Sequence, residues 1–162
     1  MQIQSLFAVL ALLWWSALCA RVDARERRIP NSLVLFGAAG VALYLLIFRH
    51  TLTGELLSAG LAGFGVSLLF TLPGYALKRL GAGDVKMFAV IGAATGPLFV
   101  LHTILGAAAG LVAWALSAPS LWPKLSDRSK TSFAALAPPV RRAPYAPFML
   151  MGMCCASLGV LI

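Results

Sequence analysis

The sequence predicts an all-α integral membrane protein, a polytopic bundle of six transmembrane helices with five as the alternative. Three observations carry this. The 162 residues are 60% apolar and only 11% charged, with a mean hydropathy of +0.90, far from a globular average and inside the membrane class. The apolar residues fall into six stretches separated by short polar loops. The basic residues collect in alternate loops, the pattern that orients membrane helices. The length suits one integral-membrane domain over residues 1–162.

The first stretch, Ile3–Ala20, ends on Ala17-Leu18-Cys19-Ala20 and could pass for a cleaved signal. Its leader Met1-Gln2-Ile3-Gln4-Ser5 has no positive charge, however, and the positives follow the apolar run. Leu18 before Cys19 does not suit a lipoprotein cleavage site. The stretch therefore reads as a retained helix with its N-terminus outside. Leu33–Phe48 and Leu56–Leu77 follow. The fourth stretch, Val85–Gly96, is short against the ~20 residues that cross a hydrocarbon core of ~30 Å. Fused with the fifth, Leu98–Ser117, it would make one very long helix, but Gly96-Pro97 at the join argues for a turn. Tyr145–Ile162 is the sixth.

Charge decides between six and five. With six helices the inner loops are Arg21–Ser32, Lys78–Asp84 and Ala118–Pro144. Together with Lys86 they hold twelve of the thirteen Lys and Arg residues, and only Arg49 lies outside. With five, Ala118–Pro144 moves to the opposite side with five of those positives. The positive-inside rule favours six, with both termini outside. Ala118–Pro144, polar and proline-rich, reads as a connector.

The net charge of +8 is spent on these loops, so anionic lipid headgroups are its natural partners and no basic face is left for nucleic acid. Cys19, Cys154 and Cys155 lie in apolar runs, none at a C-x-x-C spacing, and His50 and His102 are far apart. That excludes the usual zinc arrangements, so no metal or cofactor is expected, and the cysteines read as small buried packing residues. Adjacent Cys154 and Cys155 on one helix point apart, against a disulfide. Gly60 and Gly63 with Gly65, Ala93 with Gly96, and Gly106 with Gly110 are read as sites of close helix approach.

Five carboxylates remain: Asp23, Glu26, Glu55, Asp84 and Asp127. An ionisable group at the mouth of a membrane helix is expensive and marks a functional site. Asp23 and Asp84 both hold such positions, and the topology puts both on the cytoplasmic side. Two carboxylates sharing a site repel, so one is protonated while the other is ionised. Such a pair can take a proton from water and give one to a scissile carbonyl. The structural reading of Asp23 is an ion pair with Arg21, Arg25, Arg27 or Arg28 in a solvated loop. For Asp84 it is capping of the following helix. Gly81 and Gly83 suit a tight entry to that helix. Lys86 is placed either to act on Asp84 or to contact lipid phosphate. Glu26, Glu55 and Asp127 read as solvated or interfacial charges.

Gly81-Ala82-Gly83-Asp84-Val85-Lys86 resembles the GxGD signature of type IV prepilin peptidases, the aspartic membrane proteases of bacterial pilus systems. Asp23 ahead of Arg27-Arg28-Ile29-Pro30-Asn31 is similar to that family's first aspartate box. Pro144-Tyr145-Ala146-Pro147-Phe148 resembles the start of its last helix. The resemblance implies an aspartic endopeptidase of the bacterial inner membrane that removes the short basic leader from prepilin-like precursors at the cytoplasmic face. It makes Asp23 and Asp84 the catalytic pair and Gly81, Gly83, Lys86, Pro30 and Asn31 the residues that shape the site or hold substrate. It implies no cofactor, and pilus assembly machinery as a further partner. The paired C-x-x-C domain of larger, N-methylating members has no counterpart here, so the chain resembles the small peptidase-only branch found with tight-adherence (Flp-type) pili. Two other classes compete. One is a small proton- or cation-coupled transporter, although its acids would belong near the midplane of a span. The other is a non-catalytic pilus or secretion assembly subunit with structural aspartates.

Overall fold

Proline and glycine set the principal helix boundaries. Pro30, in extended backbone (φ −61°, ψ 136°), precedes the helix Asn31–Phe48, and its carbonyl accepts the Leu33 and Val34 N–H groups. Gly96 adopts φ 91° and Pro97 opens the next helix. The left-handed angle suits only glycine, and a proline at a first helical position loses no hydrogen bond there. The fourth and fifth apolar stretches are therefore separate helices, as Gly96-Pro97 predicts.

The computed structural model describes residues 3–26, 28–132, 136–137 and 144–161. Among them the chain is helical, without strands: α1 Ile3–Glu26, α2 Asn31–Phe48, α3 Leu57–Ala76, α4 Ala82–Thr95, α5 Pro97–Leu121, a single 3-10 turn at Trp122–Lys124, α6 Asp127–Ser132 and α7 Ala146–Leu161. Four of these, α1, α2, α3 and α5, are long and apolar enough to cross a membrane. The 14 residues of α4 reach only about 21 Å at ~1.5 Å per residue. Large apolar side chains such as Phe7, Trp14, Phe36, Leu46 and Leu69 point outward, as lipid-facing surfaces require.

α4 is the inner helix. Asp84, Val85, Met87 through Gly92, Ala94 and Thr95 are all buried, enclosed by α2, α3 and α5. Glycine allows this closeness. A Cβ on Gly63 would run into the Gly92 carbonyl and the Gly96 backbone, and one on Gly60 would stand 2.7 Å from the Ala93 carbonyl oxygen. On the other side of the bundle, a Cβ on Gly106 would lie 2.7 Å from the Cα of Gly152, where α5 crosses α7. Gly65 meets open space, so it is not a crossing residue. The buried hydroxyls of Ser67 and Thr95 bond within their own helices, to the Gly63 carbonyl at 2.7 Å and to that of Ile91 at 2.8 Å, which pairs these polar groups at dry helix contacts; that of Ser16 has no partner among the described residues.

Both ends of α4 are tied down. At its C-terminal end, the Leu52 N–H donates to the Ala94 carbonyl at 2.7 Å and the Thr53 hydroxyl to that of Thr95 at 2.8 Å. At its N-terminal end, Gly83 packs on Ile29, whose Cβ would stand 3.1 Å from a Cβ added there. This brings the segment after α1 to the start of α4.

Several expectations need correction. α1 continues through Asp23 to Glu26, because Trp15, Ser16, Cys19, Ala20, Asp23 and Ala24 form one buried helical face. α4 starts at Ala82, so Asp84 lies in its first turn. The connector is helical over much of its described part: α5 runs to Leu121, and the Ser126 hydroxyl caps α6 by accepting the Ser129 N–H at 3.3 Å. Residues 133–135 and 138–143, with Arg141 and Arg142, lie outside the described residues, as does Arg27. Cys19 is buried, but Cys154 and Cys155 are exposed. Met149, Gly152, Met153 and Ala156 occupy the inner face of α7, which turns 154 and 155 outward.

The two glycines of α3 give a paired prediction. Gly63→Ala lowers stability by about 1–3 kcal/mol through overpacking, whereas Gly65→Ala leaves it unchanged or raises it by up to ~1 kcal/mol through helix propensity. Thermal unfolding in detergent measures both, and equal effects would contradict the crossing described.

Candidate active site

Asp23 lies on the inner face of α1 and is 5% exposed. Its Oδ2 accepts the backbone N–H of Ala146 at 3.2 Å. That amide opens α7, and a helix N-terminus offers free N–H groups and a favourable dipole to a carboxylate. Among the described residues no Lys or Arg forms an ion pair with Asp23; the one such bridge joins Lys130 to Asp127 at 3.5 Å. The pairing with neighbouring arginines is therefore absent there, because α1 turns Asp23 inward while Arg21 and Arg25 are exposed.

Asp84 is the third residue of α4, one ahead of the apolar stretch Val85–Gly96. Its Oδ2 accepts the Gly81 N–H at 3.0 Å, which is half of a capping box; Gly81 has no side chain with which to reciprocate. Gly81 is in ordinary extended backbone (φ −77°, ψ 151°), so conformational freedom does not explain it. Space does: a Cβ there would come within 2.9 Å of Asp84 Oδ2. Oδ1 is buried and has no hydrogen-bond partner among the described residues. Burial first, and then the negative charge of Asp23, push the Asp84 carboxyl up to about 7, against the opposing Gly81 hydrogen bond. The cause is elementary: a low-dielectric site disfavours one negative charge and resists a second even more. Because Oδ2 accepts from Gly81, Oδ1 is the oxygen left free to carry a proton.

Both carboxylates line one cavity of about 740 Å³ at this end of the bundle. Its wall is completed by the end of α3 and the turn after it (Tyr75, Ala76, Lys78, Arg79, Leu80), by Gly81 and Ala82, and by Pro144 and Tyr145 ahead of α7. Lys78 closes α3 in the left-handed conformation (φ 56°). The Tyr145 ring packs 5.9 Å, centroid to centroid, from Phe88, one helical turn beyond Asp84. Burial, and secondarily the charge of Asp84, raise the Tyr145 phenol above its ordinary value. Two carboxylates in one cavity, one of them protonated near neutrality, can activate a water and protonate a carbonyl oxygen.

The other sequence candidates are placed as follows. Gly81 lines the cavity and Gly83 supports it through Ile29. Pro30 caps α2. The Lys86 ammonium donates to Asn31 Oδ1 at 3.0 Å, and both residues line a neighbouring apolar groove between α2, α3 and α4. Two positions from Asp84, Lys86 points away from it around the helix. Glu26 and Asp127 are exposed, and Glu55 sits against Gly96 at the far end of α4. Sequence reasoning gave no site role to Tyr75, Lys78 or Arg79, and it used Tyr145 and Ala146 only as parts of a motif. The backbone donor of Ala146 has no side-chain signature at all.

Asp84 makes stability depend on pH. With its folded value raised, its contribution is full below the unfolded value near 4 and is lost as pH rises through about 7. The stability advantage of Asp84→Asn over the wild type should grow between about pH 4 and pH 7, by a few kcal/mol at most, and level off above. Thermal unfolding across that range checks this, and a pH-independent difference would contradict it.

No curated protein and no solved structure matches the chain. The family model of the type IV leader peptidases matches residues 10–116, about two-thirds of the chain and a segment that contains both Asp23 and Asp84. The chain, a helical protein with several apolar helices suited to a membrane, therefore belongs to the type IV leader peptidase family.

Proposed function

We propose that the chain is an aspartic endopeptidase in which Asp23 and Asp84 together activate water to remove the short basic leader from prepilin-like precursors. The observation that carries this is the shared cavity: two buried carboxylates from distant helices, in a chain of this family, face the same space.

Asp23, held by the Ala146 N–H, is the ionised partner and takes a proton from water. The resulting hydroxide attacks the carbon of the scissile peptide bond. Asp84, which its surroundings keep protonated, gives the Oδ1 proton to the carbonyl oxygen, so no free oxyanion builds up. The tetrahedral diol collapses as Asp84 takes a hydroxyl proton back and Asp23 passes its own to the departing amide nitrogen. The C–N bond breaks, and both carboxyls return to their starting states. No group outside the pair and one water is needed for the proton balance.

The topology that suits this function has six crossings, α1–α5 and α7, in one peptidase domain, with both termini outside and the cavity facing the cytoplasm of the bacterial inner membrane. The loop charges support it. Gly81 and Gly83 shape the approach to Asp84, while Asn31 and Lys86 border the neighbouring groove, where substrate or lipid can lie, and Pro30 fixes the start of the helix that carries Asn31. Pilus precursors, lipids and the pilus assembly machinery are the corresponding partners.

Co-expression of each variant with a prepilin-like precursor, read by the mobility shift on leader loss, tests the chemistry. Asp23→Asn and Asp84→Asn should each reduce cleavage by at least about a thousandfold, while Glu26→Gln and Asp127→Asn cleave normally. Normal cleavage by either of the first two would rule out the two-carboxylate mechanism. Topology has a separate check: reporters fused after Ala20 and after Leu77 should report cytoplasm, and those near His50 and Pro97 the outside. The opposite pattern would put the cavity on the wrong face.

A further inference from the structure

The segment that matches the leader peptidase family ends at residue 116, yet the cavity wall is not complete without Pro144 and Tyr145, which lie beyond it, just ahead of α7. The Ala146 N–H is the donor that holds Asp23. Tyr145, immediately before it, turns its ring onto the face of α4 that carries both Phe88 and Asp84 and lines the cavity with both carboxylates. One short segment thus holds one carboxylate through its backbone and shares the cavity wall with the other through a side chain. Across the cavity, Asp84 Oδ2 is engaged by Gly81 while Oδ1 has no partner among the described residues. A phenol hydroxyl both donates and accepts, so it can serve either state of that free oxygen.

We propose that Tyr145 is a positioning residue of this site, whose hydroxyl orients the proton on Asp84 Oδ1 toward the scissile carbonyl while its neighbour Ala146 holds Asp23. This rests on the aspartic reading above and adds the residue that sets the two carboxyls against each other. Among the described residues, the other charged or titratable groups facing the cavity are Asp23 from α1, Tyr75 from α3, and Lys78 and Arg79 from the turn after it. None of these stands on α7, so a change confined to the Tyr145 hydroxyl leaves their elements in place. When Asp84 loses its proton, the hydroxyl donates to the carboxylate and favours the ionised form. Removing the hydroxyl therefore makes Asp84 hold its proton to higher pH.

The test uses the full chain in detergent with a precursor whose basic leader precedes an apolar stretch. Tyr145→Phe keeps the ring on Phe88 and removes only the hydroxyl. It should retain the wild-type melting temperature and KM, lose about tenfold in kcat, and move the alkaline limb of the pH–rate profile upward. Tyr145→Ala should lose the same activity and also melt earlier, because the ring contact goes too. A Phe variant with wild-type kcat and an unmoved alkaline limb would overturn the proposal. So would a fall in kcat matched by an equal loss of thermal stability, since the hydroxyl would then serve the fold. Asp84→Asn is assayed alongside: if it cleaves normally, the two-carboxylate reading itself fails, an outcome distinct from a silent Tyr145→Phe.

Discussion

The enclosure of α4 is the constraint on which the rest depends. A carboxyl can be held protonated near neutrality only where protein has replaced water around it, and Asp84 meets that condition because α2, α3 and α5 close around its helix. The closeness comes from Gly60, Gly63 and Gly92, whose missing side chains let α3 lie directly on the backbone of α4. The ties from Leu52 and Thr53 at one end and the packing of Gly83 on Ile29 at the other stop the helix from sliding. A register shift of one residue would rotate Asp84 by about 100° and take it out of the cavity.

Asp23 reaches the same cavity by a different route. α1 does not end where its apolar stretch ends; it carries Asp23 inward on the face of Ser16, Cys19 and Ala20, and the first amide of α7 meets it there. Its partner is thus a backbone donor from the far end of the chain. The two carboxylates are unlike in their surroundings, one on a helix N-terminus and the other inside the first turn of a buried helix. That asymmetry is what the proposed division of two identical groups into one acid and one base requires.

Much of this was legible in the sequence. Apolar length and composition identified the helices, Gly96-Pro97 divided α4 from α5, and the scarcity of acids singled out Asp23 and Asp84. Charge bias pointed to one face for both, and the cavity they share agrees with that. What stayed hidden is of two kinds. Helix ends were misplaced where a polar residue continues a buried stripe, as at Asp23, because hydropathy alone cannot distinguish a polar inner face from a loop. Contacts made by backbone or by absent atoms leave no residue signature: the Ala146 donor is one, and the space that glycine leaves beside Asp84 is another. The outward turn of Cys154 and Cys155 is set by which face of α7 meets α5, and an all-apolar helix does not announce its inner face.

The central claim is that the two carboxyls share one cavity and, near neutrality, one proton, which resides on Asp84. Infrared spectroscopy of the protonated carboxyl stretch measures this directly, without any substrate. At about pH 6, where a solvated aspartate is fully ionised, the wild type should show one buried protonated carboxyl that vanishes in Asp84→Asn and persists in Glu26→Gln. Two ionised carboxylates at that pH, or a protonated band that survives Asp84→Asn unchanged, would contradict the account.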